Sequence, residues 1–323
     1  MKAYSIAQQG EHMQLTLSDT DKPTPKAGEL LVQIKAASLN RGEFIAGHGL
    51  HKGAGGRPAG QEAAGVVAAV GEGVSKFKLG DRVMGRCPGA YAEFGLIHEA
   101  EAIPVPPGMS WQEASAIPLV FLVTYDMLVE QGKLKAGEWL LITGVTSGVG
   151  VASLLAAKAI GAKVIGTSGS QAKLDQLKPL GLDVGVATRG GAIYDAVMQA
   201  TDKQGVNLVV NNVGGSVFAE CIRALAFMGR LATVGYLDRQ MKAEIDIDAL
   251  HAKRLTLFGV SNKLRTTPQR AQTVAGFTRD WLPLFAGGKI KPVIDRVFPF
   301  AELPAAQAYM ESNAQTGKIV VTL

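Results

Sequence analysis

The chain has 323 residues, 47% of them apolar and 19% charged, which is enough for about two packed domains and too apolar for wholesale disorder. Its net charge of +5 is scattered, and no basic run is interleaved with aromatics, so nucleic acid is not an expected partner. Cys87 and Cys221 are too few for a disulfide framework or a zinc lobe, no apolar leader is readable after Met1, and the expected location is the reducing cytoplasm.

Residues 1–120 read as β-rich. Leu30, Val32, Ile34 and Ala36 alternate with Leu31, Gln33 and Lys35, a half-buried strand. The apolar run Ala63 to Val70 is closed by Gly71-Glu72-Gly73. Gly80-Asp81-Arg82-Val83 reads as a turn into a strand, and Ala90 to Phe94 as another short one. Short strands with turn signals between them predict a compact barrel-like unit.

After Ser110 the pattern changes. Residues 111–131 suit helix, with a break near Pro118. Strands are then predicted at 139–143, 163–167, 183–187, 206–212, 231–234 and 255–260. Helices are predicted between them at 148–160, 171–180, 192–200 and 217–227. This alternation predicts an α/β protein with a parallel, doubly wound sheet. The stretch 139–157 carries no charge and approaches the length of a membrane span. Gly144, Gly148 and Gly150, with Thr143, Thr146 and Ser147, break it into strand, turn and helix, so no membrane partner is expected.

That same stretch holds the sharpest local signal. An apolar strand ends at Gly144 and a helix begins near Gly148. Helix N-termini offer unpaired N–H groups and a positive dipole end to a pyrophosphate. Of the strict G-x-G-x-x-G pattern only Gly150 is kept, since Val145 and Ser147 stand at the first two glycines; strand, turn and helix supply the context that the motif needs. Thr146, Ser147, Gly148, Val149 and Gly150 are the predicted pyrophosphate contacts. NAD sites carry an acid at the end of the second strand for the ribose 2′-hydroxyl. Here that strand runs into Ser168-Gly169-Ser170-Gln171-Ala172-Lys173. Two hydroxyls and a cation, with Arg189 after the third strand, suit a 2′-phosphate. The expected cofactor is NADP(H).

Arg57 to Val67, Val70-Gly71-Glu72-Gly73-Val74, Gly80-Asp81-Arg82-Val83, Gly148-Val149-Gly150, Asn212-Val213-Gly214-Gly215 and Gly317-Lys318-Ile319-Val320 follow one another in order. In this ordered set the chain resembles the zinc-free quinone oxidoreductase branch of the medium-chain dehydrogenase/reductases. The resemblance implies a GroES-like β-barrel catalytic domain, 1–120, completed by 262–323. A Rossmann NADP-binding domain, 121–261, is inserted between the two parts. It also implies a homodimer through the cofactor domains. Asn212 and Val213, with Gly235, Tyr236, Phe258 and Val260 at strand ends, would line the nicotinamide side. Thr124 matches the family threonine that lies against the nicotinamide.

The same resemblance bears on zinc. Asn40, Gln61 and Val120 stand where zinc-dependent members carry their catalytic ligands, and the four-cysteine lobe is missing. Zinc sites need three or four nitrogen, sulfur or oxygen ligands, so no metal is expected. Without such a Lewis acid the chemistry shifts to conjugated acceptors, whose charge spreads to a distant oxygen that a hydrogen-bond donor can stabilise. Asn40 is the candidate donor, with structural amide as its plainer role, and Gln61 a weaker polar contact. His51 could donate a proton, but a lone loop histidine more simply faces solvent.

The expected function is NADPH-dependent, zinc-independent hydride transfer to a quinone or other conjugated carbonyl. The nearest alternative is reduction of the double bond of a 2-enal, enone or enoyl thioester. An alternative of another class is a non-catalytic NADPH-binding sensor, structural protein or RNA binder.

Overall fold

The computed structural model describes residues 1–45 and 56–323, so His48 and His51 lie outside the described residues. The chain divides into two units, Met1–Leu122 with Lys263–Leu323, and Val123–Asn262.

The second unit is built on six parallel strands. In spatial order they are Val184–Ala187, Lys163–Ser168, Trp139–Thr143, Val206–Asn211, Leu225–Thr233 and Thr256–Gly259. Such an order runs outward from the first strand in both directions, which is the doubly wound arrangement. Register places Thr143, Asn211, Thr233 and Gly259 in one row across the sheet at the strands' carboxyl ends. The central strands are apolar on both faces: Leu140, Leu141, Ile142, Val209 and Val210 are all fully buried.

Two boundaries differ from the pattern in the sequence. The helix predicted over 217–227 stops at Ala224, and Leu225 opens a strand that runs to Thr233. Gly205 lies under this corner, where a Cβ would be 2.7 Å from the Ala224 carbonyl oxygen, and Met228 takes φ +60°. The corner is therefore set by tertiary contact rather than by local propensity. The last strand, predicted over 255–260, is the shorter Thr256–Gly259, and it lies at the sheet's edge as its position in the order requires.

The first unit holds two sheets. One has the order His12–Asp19, Lys2–Gln9, Arg57–Pro58. The other runs Ile294–Pro299, Lys318–Thr322, Glu29–Ser38, Glu62–Val70, Arg82–Arg86, Ala102–Pro104, with Phe94–His98 also pairing onto Glu29–Ser38. The short strand predicted over 90–94 is thus displaced to Phe94–His98, and Ala92 makes an isolated bridge to Ala3. The strand Lys318–Thr322 sits inside the larger sheet, with Val320 opposite Ser38. Its Ile319 and Val321 join Leu30, Val32, Ile34, Ala63 and Tyr91 in one core. Among the described residues no helix is long and apolar enough to cross a membrane.

Candidate functional site

In the second unit the candidate residues gather at the carboxyl ends of the strands. Thr143 ends the first strand and organises the turn across from it. Its hydroxyl donates to Asn211 Oδ1 at 3.0 Å and accepts from the backbone N–H groups of Asn212 and Val213 at 3.0 and 3.3 Å. Asn212 Nδ2 donates to the Thr143 carbonyl at 2.9 Å, and the residue is 4% exposed. The Asn212 side chain is therefore spent on holding two strand ends together, leaving the Val213 side of the turn to face outward.

Gly144 follows at φ +63°, a conformation that favours glycine, and its N–H donates to Thr167 Oγ1 at 3.2 Å. Ser147 caps the helix Gly148–Ile160, its Oγ accepting from Gly150 N at 3.1 Å. The opening N–H groups of a helix have no partner within it, and Thr146, Ser147, Gly148 and Val149 are all partly exposed. Gly150 has a different task from its neighbours. It is buried, and a Cβ there would lie 2.5 and 2.6 Å from the carbonyl oxygens of Gly144 and Val145. Its lack of a side chain lets helix and strand pack closely, a demand on glycine that holds beside any contact of its backbone with a pyrophosphate.

The second strand ends in Ser168, whose Oγ accepts from Ser170 N at 3.3 Å. Ser170 caps the helix Gln171–Leu177 and accepts from Lys173 N at 3.4 Å. Across this turn lies Arg189: a Cβ built on Gly169 would be 3.0 Å from its Cζ and 3.1 Å from its Nε. The structure thus brings Ser168, Ser170 and Arg189 together around Gly169, with Lys173 in the first turn of the helix that Ser170 caps. Asp175, the next acid along the chain, pairs with Lys178 and accepts from Gln171 Nε2, and Asp183 is taken by Lys158 and by Val164 N.

On the other side of the sheet's midline, Gly235 N donates to the Asn211 carbonyl at 3.3 Å, and the Tyr236 carbonyl accepts from Arg239 N at 2.9 Å. Phe258 lies one residue short of the strand-end row and is half-buried, whereas Val260, just past it, is 5% exposed. Thr124 is fully buried, with its Oγ1 3.4 Å from Ser153 Oγ on the helix Gly148–Ile160. The contact ties Thr124 to that helix.

In the first unit, Asn40 sits in a buried polar cluster that sequence reading did not find. Glu62 heads its strand with no exposed surface, and four donors converge on it. Oε1 accepts from Ser38 Oγ at 2.6 Å, Asn40 Nδ2 at 2.9 Å and Lys318 Nζ at 2.8 Å, while Oε2 accepts from Leu119 N at 2.7 Å. Lys318, 5% exposed at its side chain, also donates to Asn40 Oδ1 and to the Leu39 carbonyl, both at 2.9 Å. A second N–H of Asn40 Nδ2 goes to Glu43 Oε1 at 3.1 Å. Both amide hydrogens of Asn40 are therefore held by carboxylates and its oxygen by an ammonium, so a ligand oxygen can take one of those hydrogens only by displacing a carboxylate.

Glu43 is 2% exposed; burial pushes its carboxyl up to about 7, with the charge on Glu62 adding to the effect and the hydrogen bond from Asn40 opposing it. Burial likewise raises Tyr91, whose hydroxyl donates to the Ser38 carbonyl at 3.3 Å. Gln61 is half-buried, and its carbonyl accepts from Cys87 N at 2.8 Å. Val120, 3% exposed, offers hydrocarbon and no ligand atom. Among the described residues no group of three or more His, Cys, Asp or Glu could hold a metal ion. The cation among Asn40, Glu62 and the Leu39 carbonyl is the chain's own ammonium. Cys87 and Cys221 are buried, and burial pushes both thiols up to about 12, so neither is a nucleophile at neutral pH.

Comparison with known proteins bears on this arrangement. Residues 26–107 match the alcohol dehydrogenase GroES-like domain, and residues 148–276 match the zinc-binding dehydrogenase family. A highly reducing polyketide synthase of Emericella nidulans is 29% identical over 94% of this chain and 12% of its own length. The chain spans 12% to 15% of such curated relatives. The structure of a quinone oxidoreductase from Pseudomonas syringae is 26% identical with a TM-score of 0.85, over 100% of this chain and 99% of that one. The CurK enoyl reductase is 25% identical with a TM-score of 0.83, over 99% of both chains. Two family models in order along the chain, and one fold shared from end to end, show that it belongs to the medium-chain dehydrogenase/reductase superfamily, with quinone oxidoreductases and enoyl reductases among its structural neighbours.

Proposed function

We propose that the chain is an NADPH-dependent reductase that transfers a hydride to a conjugated carbonyl acceptor, a quinone or an enone, with no zinc. One observation carries the choice of cofactor: the second strand of the parallel sheet ends in Ser168 without a carboxylate, and Arg189 lies across the turn that follows. NADPH, when bound, supplies the hydride. The residues of the chain do the rest. The N-terminus of the helix Gly148–Ile160 faces its N–H groups to a pyrophosphate, and Ser168, Ser170, Lys173 and Arg189 hold the 2′-phosphate. Backbone at Val213, Gly235 and Tyr236, with Phe258 and Val260, serves the nicotinamide ribose and carboxamide. In the first unit Asn40 donates to the acceptor oxygen, and Lys318 on its Oδ1 strengthens that donor by drawing electron density from the amide. Because Glu43 and Glu62 hold its two hydrogens, an acceptor oxygen has to displace one of them.

A second reading, double-bond reduction in a 2-enal or enoyl thioester, is favoured by the likeness to an enoyl reductase and to a reducing polyketide synthase. Steady-state NADPH oxidation against an ortho-quinone, a cyclic enone, a 2-enal and a short enoyl thioester separates the readings. Turnover with the quinone or the enone is the expected result, and turnover confined to the 2-enal or the thioester supports the second reading. Tight NADPH binding without oxidation by any acceptor would overturn both, leaving a non-catalytic binding protein.

A further inference from the structure

The residues around Asn40 contain more ionisable groups than binding an acceptor oxygen requires. Glu43 closes the short turn Arg41–Glu43, directly after Asn40. Groups from several elements face it: Asn40 and Tyr91 by hydrogen bond, Glu62 by repulsion, Lys318 and Arg57 by attraction. Of the two carboxylates, Glu62 has the lysine in direct contact at 2.8 Å together with three further donors. Glu43 is the less compensated partner, and it takes one of the two amide hydrogens that a substrate oxygen would need. An ionised carboxylate is a much stronger acceptor than a neutral carboxyl group.

We propose that Glu43 is a positioning residue that gates Asn40: ionised, it retains the amide hydrogen, and neutral, it releases that hydrogen to the acceptor oxygen. The inference rests on the reading above that Asn40 donates to the acceptor. The sign follows from burial, which raises the Glu43 carboxyl to about 7. Below that pH the group is neutral and the hydrogen it held is open to the acceptor oxygen; above it the carboxylate competes with substrate. Glu62 remains bonded to Asn40 in both states, so the amide keeps its orientation while one hydrogen changes partner.

The test is the pH profile of turnover, from pH 5.5 to 9 at saturating NADPH, for the parent protein, Glu43→Gln and Asn40→Ala, using the best acceptor of the panel. The parent kcat should fall at least threefold as pH rises through about 7. Glu43→Gln, neutral throughout, should stay within twofold of the parent's acid limit across the range, with an unchanged KM for NADPH. Asn40→Ala should be slow at every pH. An inflection retained in Glu43→Gln, alongside a slow Asn40→Ala, would overturn the inference alone. Full turnover in Asn40→Ala would overturn the reading of Asn40 and the inference with it. One measurement needs no folded Glu43 variant: the side-chain amide protons of Asn40 in the parent, followed by nitrogen-15 NMR. One of the pair should shift with a midpoint near 7, and a pair that stays fixed between pH 6 and 8 would overturn the gate.

Discussion

Replacing Arg189 by alanine should separate the two nicotinamide cofactors. The guanidinium lies over Gly169, the residue between Ser168 and Ser170 in the chain, and Arg189 is exposed. A charge-assisted hydrogen bond contributes about 1.5–3 kcal/mol. Solvent at an exposed site weakens the attraction, since unit charges at 4 Å interact by ~4 kcal/mol near a protein surface and ~1 kcal/mol in bulk water. The lower part of the range applies, about 1.5–2 kcal/mol, which is roughly 13- to 30-fold in affinity. Fluorescence titration should show that loss for NADPH and less than a twofold change for NADH. Stability should hold within about 0.5 kcal/mol, because no buried contact is removed. Equal weakening of both cofactors, or no weakening of NADPH, would refute the assignment of the 2′-phosphate to this turn.

Gly150→Ala should lower stability by roughly 1–3 kcal/mol in urea unfolding, because the new Cβ meets the carbonyls of Gly144 and Val145. NADH and NADPH binding should fall together, and a selective loss of one would contradict the packing role. Lys318→Ala should cost about 3–5 kcal/mol by leaving Glu62 buried without its cation, and adding Glu62→Gln should recover part of that. Unchanged stability in the single variant would show that the pair is dispensable. The edge strand Thr256–Gly259, with Leu257 and Phe258 half-buried, should pair with a second copy as a homodimer. Sedimentation at micromolar concentration should give a dimer and Leu257→Lys a monomer; a monomeric parent would refute edge pairing.

The parallel sheet was legible because its evidence is local. Apolar strands, glycine turns and amphipathic helices recur within short windows, and five of the six strands came out within a residue at each end. Misplaced boundaries lie where distant backbone intervenes, as at Ala224 over Gly205. The paired strands Lys2–Gln9 and His12–Asp19 went unread although a period-2 signal was present, Tyr4 and Ile6 in one and Met13, Leu15 and Leu17 in the other. The cluster around Asn40 was beyond local reading. Its members are separated by 22 residues from Asn40 to Glu62 and by 256 from Glu62 to Lys318. One signal was available: a lysine heading the apolar run Ile319-Val320-Val321 is out of place unless a carboxylate waits for it. Ser168, Ser170 and Arg189 could be named beforehand because strand ends in a doubly wound sheet converge on one edge.

The placement of Lys318 also constrains the order in which the chain can fold. Synthesis delivers Glu62 early and its ammonium partner 256 residues later, together with the strand that fills the place between Glu29–Ser38 and Ile294–Pro299. Until residue 318 leaves the ribosome, the first unit has an unpaired carboxylate in its interior and an open strand edge at Ser38. The six strands of the second unit are by then all in hand, the last of them ending at Gly259. A nascent chain arrested near residue 300 should therefore carry a protease-resistant second unit beside a first unit that is still cleaved. In that sense the middle of the sequence matures before its beginning.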